Sequence, residues 1–130
     1  MVAETLVKDD IDAGLRLLEL LDRAGFGVTA AFWLYDSDQE RWRFVVAARD
    51  AERVLGQKYL DAAGIISKAR ESGLPDLLPL DRVRITSSSD PLVAGLTQVV
   101  RVPGTTSARF SRSMVNGIYV EDALIHRLAA

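Results

Sequence analysis

Ser87, Ser88 and Ser89 stand directly before Asp90-Pro91 and an apolar run to Val100, with Arg82 and Arg84 leading in and Arg109 and Arg112 following. Serines at the head of a helix set hydroxyls beside free backbone N–H groups and the positive end of the helix dipole. Negative charge is stabilised there. Arginine adds a planar fork that fits phosphate or carboxylate through paired hydrogen bonds. If the last hairpin lies beside the Arg82 strand, several guanidiniums converge on the serine turn. The expected anion site is then Arg82, Arg84, Ser87, Ser88, Ser89, Arg109 and Arg112. The competing reading is a capped helix with solvent-facing arginines.

Other chemistry is thinly represented. The chain has no cysteine and a single histidine, His126. This removes disulfide scaffolds, Cys/His zinc sites, cysteine nucleophiles and most histidine relays. Along a strand, Asp122, Leu124 and His126 share one face, so an Asp–His pair could do acid–base work. No nucleophile or metal partner for it is identifiable, and a surface pair of no chemical use is the simpler account. Asp36-Ser37-Asp38-Gln39-Glu40 begins like a calcium loop. However, Arg41 and Ala47 stand where that loop needs glycine and glutamate. Gly25-Phe26-Gly27 precedes a strand instead of following one, so it is not a dinucleotide fingerprint. Neither a P-loop nor a G-x-S-x-G nucleophile elbow occurs. No metal or cofactor is therefore expected, and no catalytic residue can be named.

Composition bounds the class. At 130 residues, with 48% apolar and 26% charged residues, the chain suits one globular domain with its own core. No stretch approaches the ~20 apolar residues of a membrane span. Met1 to Asp12 is acidic, unlike a signal peptide. The lack of cysteine fits a reducing cytoplasm. The net charge of −2 hides an acidic front third and a basic segment from Arg82 to Arg112. The two could attract each other within a monomer or across a dimer, or the basic segment could hold an anion. Nucleic-acid binding is disfavoured, because the chain is acidic overall and its basic segment short.

These residues need elements to hold them. Ile11, Leu15, Leu18 and Leu21 recur at helical spacing, predicting a helix from about Asp9 to Ala24 that Gly25 stops. Val28 to Tyr35 and Trp42 to Ala48 alternate with period two around a polar turn, Asp36 to Glu40, and read as a hairpin. Both tryptophans lie in it, so it is expected to anchor the core. Arg41, Arg43 and Arg49 alternate with the apolar residues as on a sheet with one wet side.

Arg49 to Leu55 reads as a connection, and a second helix runs from about Gly56 to Ser72. Gly64 inside it costs about 1 kcal/mol relative to alanine unless something packs closely there. Leu74 to Leu80 is a loop, Arg82 to Thr86 a short strand, and Pro91 to Val100 a helix capped by the Ser/Asp run. Val102 to Ser107 is a loop. Ala108 to Val115 and Ile118 to about Leu128 flank Asn116-Gly117, a strong hairpin turn.

The expected fold is α+β, in the order α-β-β-α-β-α-β-β. It has a mostly antiparallel sheet of about five strands and about three helices on one side. The α-β-β-α-β opening resembles, in element order, small sensory and regulatory domains of the GAF or PAS sort. Order alone does not fix function. The expectation is a small non-catalytic cytoplasmic interaction or regulatory module, a homodimer or bound to a protein partner. The alternative is a small enzyme or binding protein for an anionic or phosphate-bearing ligand.

Overall fold

The two alternating runs around Asp36–Glu40 become the middle of the sheet. The computed structural model describes residues 5–74, 77–100 and 107–128. Strands β1 (Val28–Asp36) and β2 (Arg41–Ala48) pair antiparallel, with Trp33 opposite Phe44 and Leu34 opposite Arg43. Strands β4 (Ala108–Val115) and β5 (Ile118–Leu128) form the second hairpin, and β5 pairs antiparallel with β1. Asn116 and Gly117 take φ of 50° and 80°, the pair of positive angles that such a tight turn demands. Strand β3 (Val83–Thr86) lies parallel to β2, so the sheet is mixed, in the order β3-β2-β1-β5-β4. Three helices complete the α+β fold: α1 (Lys8–Arg23), α2 (Ala51–Glu71) and α3 (Pro91–Val99).

Helices cover both faces of the sheet, not one. The first face buries Trp33, Phe44, Val46 and Ala31 beneath Leu17, Leu21, Ala62 and Ile66 of α1 and α2. Gly14 sits where a Cβ would stand 2.9 Å from Trp33 Nε1, so its missing side chain lets α1 approach the indole. Helix α2 provides the crossover that a parallel β2–β3 neighbour requires. The second face buries Phe32, Val45, Ala47 and Ile125 beneath Leu92, Val93 and Leu96 of α3. The chain must pass from β3 at one edge to β4 at the other, and α3 makes that passage over the second face. Its Gly95 meets the tip of the second hairpin, where a Cβ would lie 2.5 Å from Val115 Cγ1.

Local departures from the sequence reading have local causes. Helix α2 begins at Ala51, inside the expected connection, because Ala51 is buried in the core. A kink at Val54 (φ −134°, ψ 42°) separates that first turn from the rest and hides it from helical periodicity. Gly64 has nothing within 4 Å of a Cβ position, so no close packing offsets its helical cost. A short 3-10 turn at Leu80–Arg82 stands where a loop and a strand start were expected. The expected loop at 102–107 lies outside the described residues except for Ser107.

In the second hairpin, Phe110 and Val115 pack on the same cluster although they are five positions apart, an odd step that would put them on opposite faces of a regular strand. The change of face falls at Arg112, which takes φ 50° and is missing from an otherwise constant β4–β5 register. Among the described residues no helix is long and apolar enough to cross a membrane.

Candidate functional site

The serine–arginine constellation is divided by the strand order. β3 and β4 occupy opposite edges of the sheet. Four strand spacings separate them, about 19 Å at the usual interval. The convergence expected of Arg82, Arg84, Arg109 and Arg112 therefore does not occur. Arg82 lies over the Trp33 ring (5.1 Å) and pairs with Asp10 of α1 at 3.0 Å. Arg109 lies 5.5 Å from the Trp42 ring and makes a bidentate pair with Asp122 at 2.6–2.7 Å. That hydrogen-bonded carboxylate raises the Arg109 pKa. Arg112 is exposed at the irregularity in β4.

Asp90 already occupies the helix N-terminus. Its Oδ1 accepts Leu92 N–H at 2.9 Å and Val93 N–H at 3.4 Å, and its Oδ2 accepts from Arg84 Nη2 and Thr86 Oγ1, both at 2.9 Å. One carboxylate thus takes the role an external anion would have had. Ser87 and Ser89 bond each other at 2.7 Å, Ser89 donates to Glu52 of α2 at 2.6 Å, and Ser88 receives Thr29 Oγ1 at 3.5 Å. The serines tie the turn to its surroundings.

The Asp122–His126 pair does not form either. Asp122 is committed to Arg109, and His126 turns into the first face, 7% exposed and 6.3 Å from the Phe44 ring. Its Nδ1 meets Ser107 Oγ at 2.7 Å, while Nε2 is buried without a partner. Burial lowers its pKa, since the imidazolium would lose its water. One pair, Arg82–Asp10, joins the acidic front to the basic segment, while the bidentate Arg127–Asp22 pair at 2.7–2.8 Å ties the front to β5 beyond that segment.

A different concavity gathers charge that the chain leaves unmatched. It lies on the second face, between the tips of the two hairpins and the first turn of α3, with a volume of about 350 Å³. Leu34, Val45 and Leu92 give it an apolar lining, and Ile118 and Tyr119 of β5 form one side. Arg43 and Arg84 project from neighbouring strands, because alternation on β2 and β3 sends both to the α3 side. Arg84 gives one N–H to Asp90 and keeps its side chain 43% exposed. Arg43 Nε is buried with no hydrogen-bond partner, and its guanidinium has no ion pair among the described residues. A buried guanidinium N–H without an acceptor is costly and calls for an explanation. The opposite rim carries Asp36 and Asp38 of the first hairpin tip. Asp36 Oδ1 accepts from the backbone N–H of Asp38 and Gln39 at 3.0 and 3.2 Å, which shapes the turn.

The site thus retains Arg84 from the sequence expectation and adds Arg43, which alternation had placed on a wet face. The missed signal was Val45 and Ala47, two small apolar residues in register with Arg43. They mark that face as covered and leave an arginine within an apolar stripe. Among the described residues no cluster of His, Cys, Asp and Glu could hold a metal ion. No known family, curated protein or solved structure matches the chain. The likeness in element order to GAF and PAS domains therefore acquires no family behind it.

Proposed function

We propose that this chain is a small non-catalytic binding module that takes an anionic ligand in the cleft between its two hairpin tips. The observation that carries the reading is Arg43, a guanidinium with a buried and unpartnered N–H, beside the half-exposed Arg84 in an apolar-lined concavity. A carboxylate or phosphate there would accept from both arginines through geometry that guanidinium favours. The volume, about 350 Å³, suits a small metabolite.

The module is read as cytoplasmic, on its cysteine-free composition, and as a homodimer or a partner-bound domain. Val99, Met114 and Tyr119, 61%, 63% and 58% exposed near the second hairpin tip, favour such a contact. Light scattering on the purified protein reads this directly, and a strict monomer without a captured partner removes it.

The ligand reading is tested by thermal shift and calorimetric titration with inorganic phosphate, citrate and benzoate. A ligand at a hundredfold excess over its dissociation constant stabilises the fold by about 2.7 kcal/mol. The expected result is a shift that Arg43→Leu abolishes and Arg109→Ala, at the opposite edge, leaves intact. Arg43→Leu should itself leave the unliganded protein as stable as before, or more stable by up to about 1 kcal/mol, because it removes an unmet donor. No shift from any anion, or one indifferent to Arg43→Leu, would end the reading.

A further inference from the structure

We propose that the ligand of this cleft is a zwitterion, its anionic group held by Arg43 and Arg84 and its ammonium group by Asp36 and Asp38. The inference rests on the reading of the cleft as an anion site and adds the second charge. One concavity of about 350 Å³ contains both signs, arginines on the strand wall and carboxylates on the hairpin tip. Opposite charges so placed would normally pair within the chain. Here neither Arg43 nor Arg84 bonds Asp36 or Asp38.

The backbone holds them apart. Arg43 stands opposite Leu34, and Asp36 lies two residues further along β1, about 7 Å at the strand rise. Asp36 is also fixed by the two N–H groups it accepts in the turn, so it is not drawn towards the arginines. Its Oδ2 and the whole Asp38 carboxylate form no ion pair among the described residues. Separated, fixed and unmatched charges of both signs are complementary to a molecule carrying the mirror arrangement. A simple anion would satisfy the arginines yet face two carboxylates, which disfavours it.

The test uses two matched sets, each sharing one body: 5-aminopentanoate with pentanoate and pentylamine, and L-phenylalanine with 3-phenylpropionate and 2-phenylethylamine. Dissociation constants are measured by calorimetry on the wild-type protein, on Arg43→Leu and on the double variant Asp36→Asn, Asp38→Asn. Asparagine keeps an acceptor for the turn at position 36 while removing charge. We expect at least one zwitterion to bind tenfold or more tightly than its own anion and amine. The double asparagine variant should erase that advantage, with the anion binding at least as tightly as before because two repelling carboxylates are gone, and Arg43→Leu should abolish both. Anions that bind as well as their zwitterions, and lose binding in Arg43→Leu, would overturn the zwitterion and leave the anion site standing. Absence of binding in every set, with the simple anions of the earlier test also inactive, would overturn both.

Discussion

On the face covered by α1 and α2, the cations that lie over aromatic rings are matched within the chain. Arg82 over Trp33 has Asp10, Arg109 over Trp42 has Asp122, and Lys58, 4.5 Å from the Phe26 ring, donates to Phe26 O at 2.8 Å. On the face covered by α3, Arg43 enters a concavity and meets no acceptor. Residue type is the same in both places. What differs is whether the fold supplies an acceptor. A matched arginine fastens one element to another, and its loss is felt as stability. An unmatched arginine contributes no ion pair to the unliganded fold, and under the proposed function the loss of Arg43 weakens the protein's response to a ligand rather than its stability.

The largest effect should come from the first face. Trp33→Ala empties the fully buried centre, where the indole packs at 5.1 Å on Phe44. A loss of about 3–5 kcal/mol is expected in urea unfolding. A much smaller loss would mean that α1 is not seated on the indole, and the contrast between a fastened and an open face would weaken.

Next in size is Asp90→Ala, which removes the cap of α3 and the acceptor for Arg84 and Thr86 together. The expected cost is about 2 kcal/mol. Because this change also frees Arg84, it should tighten binding of a simple anion while lowering stability. Weaker binding would instead show that Asp90 positions Arg84 for the ligand.

The smallest effect concerns His126, which among the described residues is an ionisable group that the first face buries without a full set of partners. Burial depresses the His126 pKa in the folded state below its usual 6.5. The unfolded chain then binds the proton more readily, so stability is present above about pH 6.5 and is lost as pH falls towards the folded value. Urea midpoints compared at pH 7.5 and pH 5.5 should show that decline in the wild type, reduced in His126→Gln. A slope unchanged by the substitution would assign the decline to carboxylates instead.

Much of the architecture could be read from local chemistry. Asn116-Gly117 marked the second hairpin, Asp90-Pro91 the start of α3, and the alternation around Trp33 and Phe44 the buried hairpin. These signals depend on neighbours in the chain, and the structure bears out each of them. Strand order is different. Period-two alternation says which side chains share a face, but not which strand lies alongside. The placement of β3 and β4 at opposite edges was therefore invisible, and with it the separation of Arg82 and Arg84 from Arg109 and Arg112. The start of α2 was hidden for a related reason, because the kink at Val54 breaks the helical period on which the reading depends.

The position of β1 between β2 and β5 also has a consequence for how the chain assembles. Its first neighbour follows after a short turn, whereas its second arrives only with Ile118–Leu128, where Leu124 comes opposite Trp33. Closing so long a loop must precede the contacts that reward it, which slows folding relative to a chain of local pairings. In a chain made from its N-terminus, β1 and β2 are both present before β5, so one side of β1 then has unpaired N–H and C=O groups beside Phe32 and Trp33. Until β5 emerges from the ribosome, that open side is the place where a nascent copy can join another, and where a chaperone has most to shield.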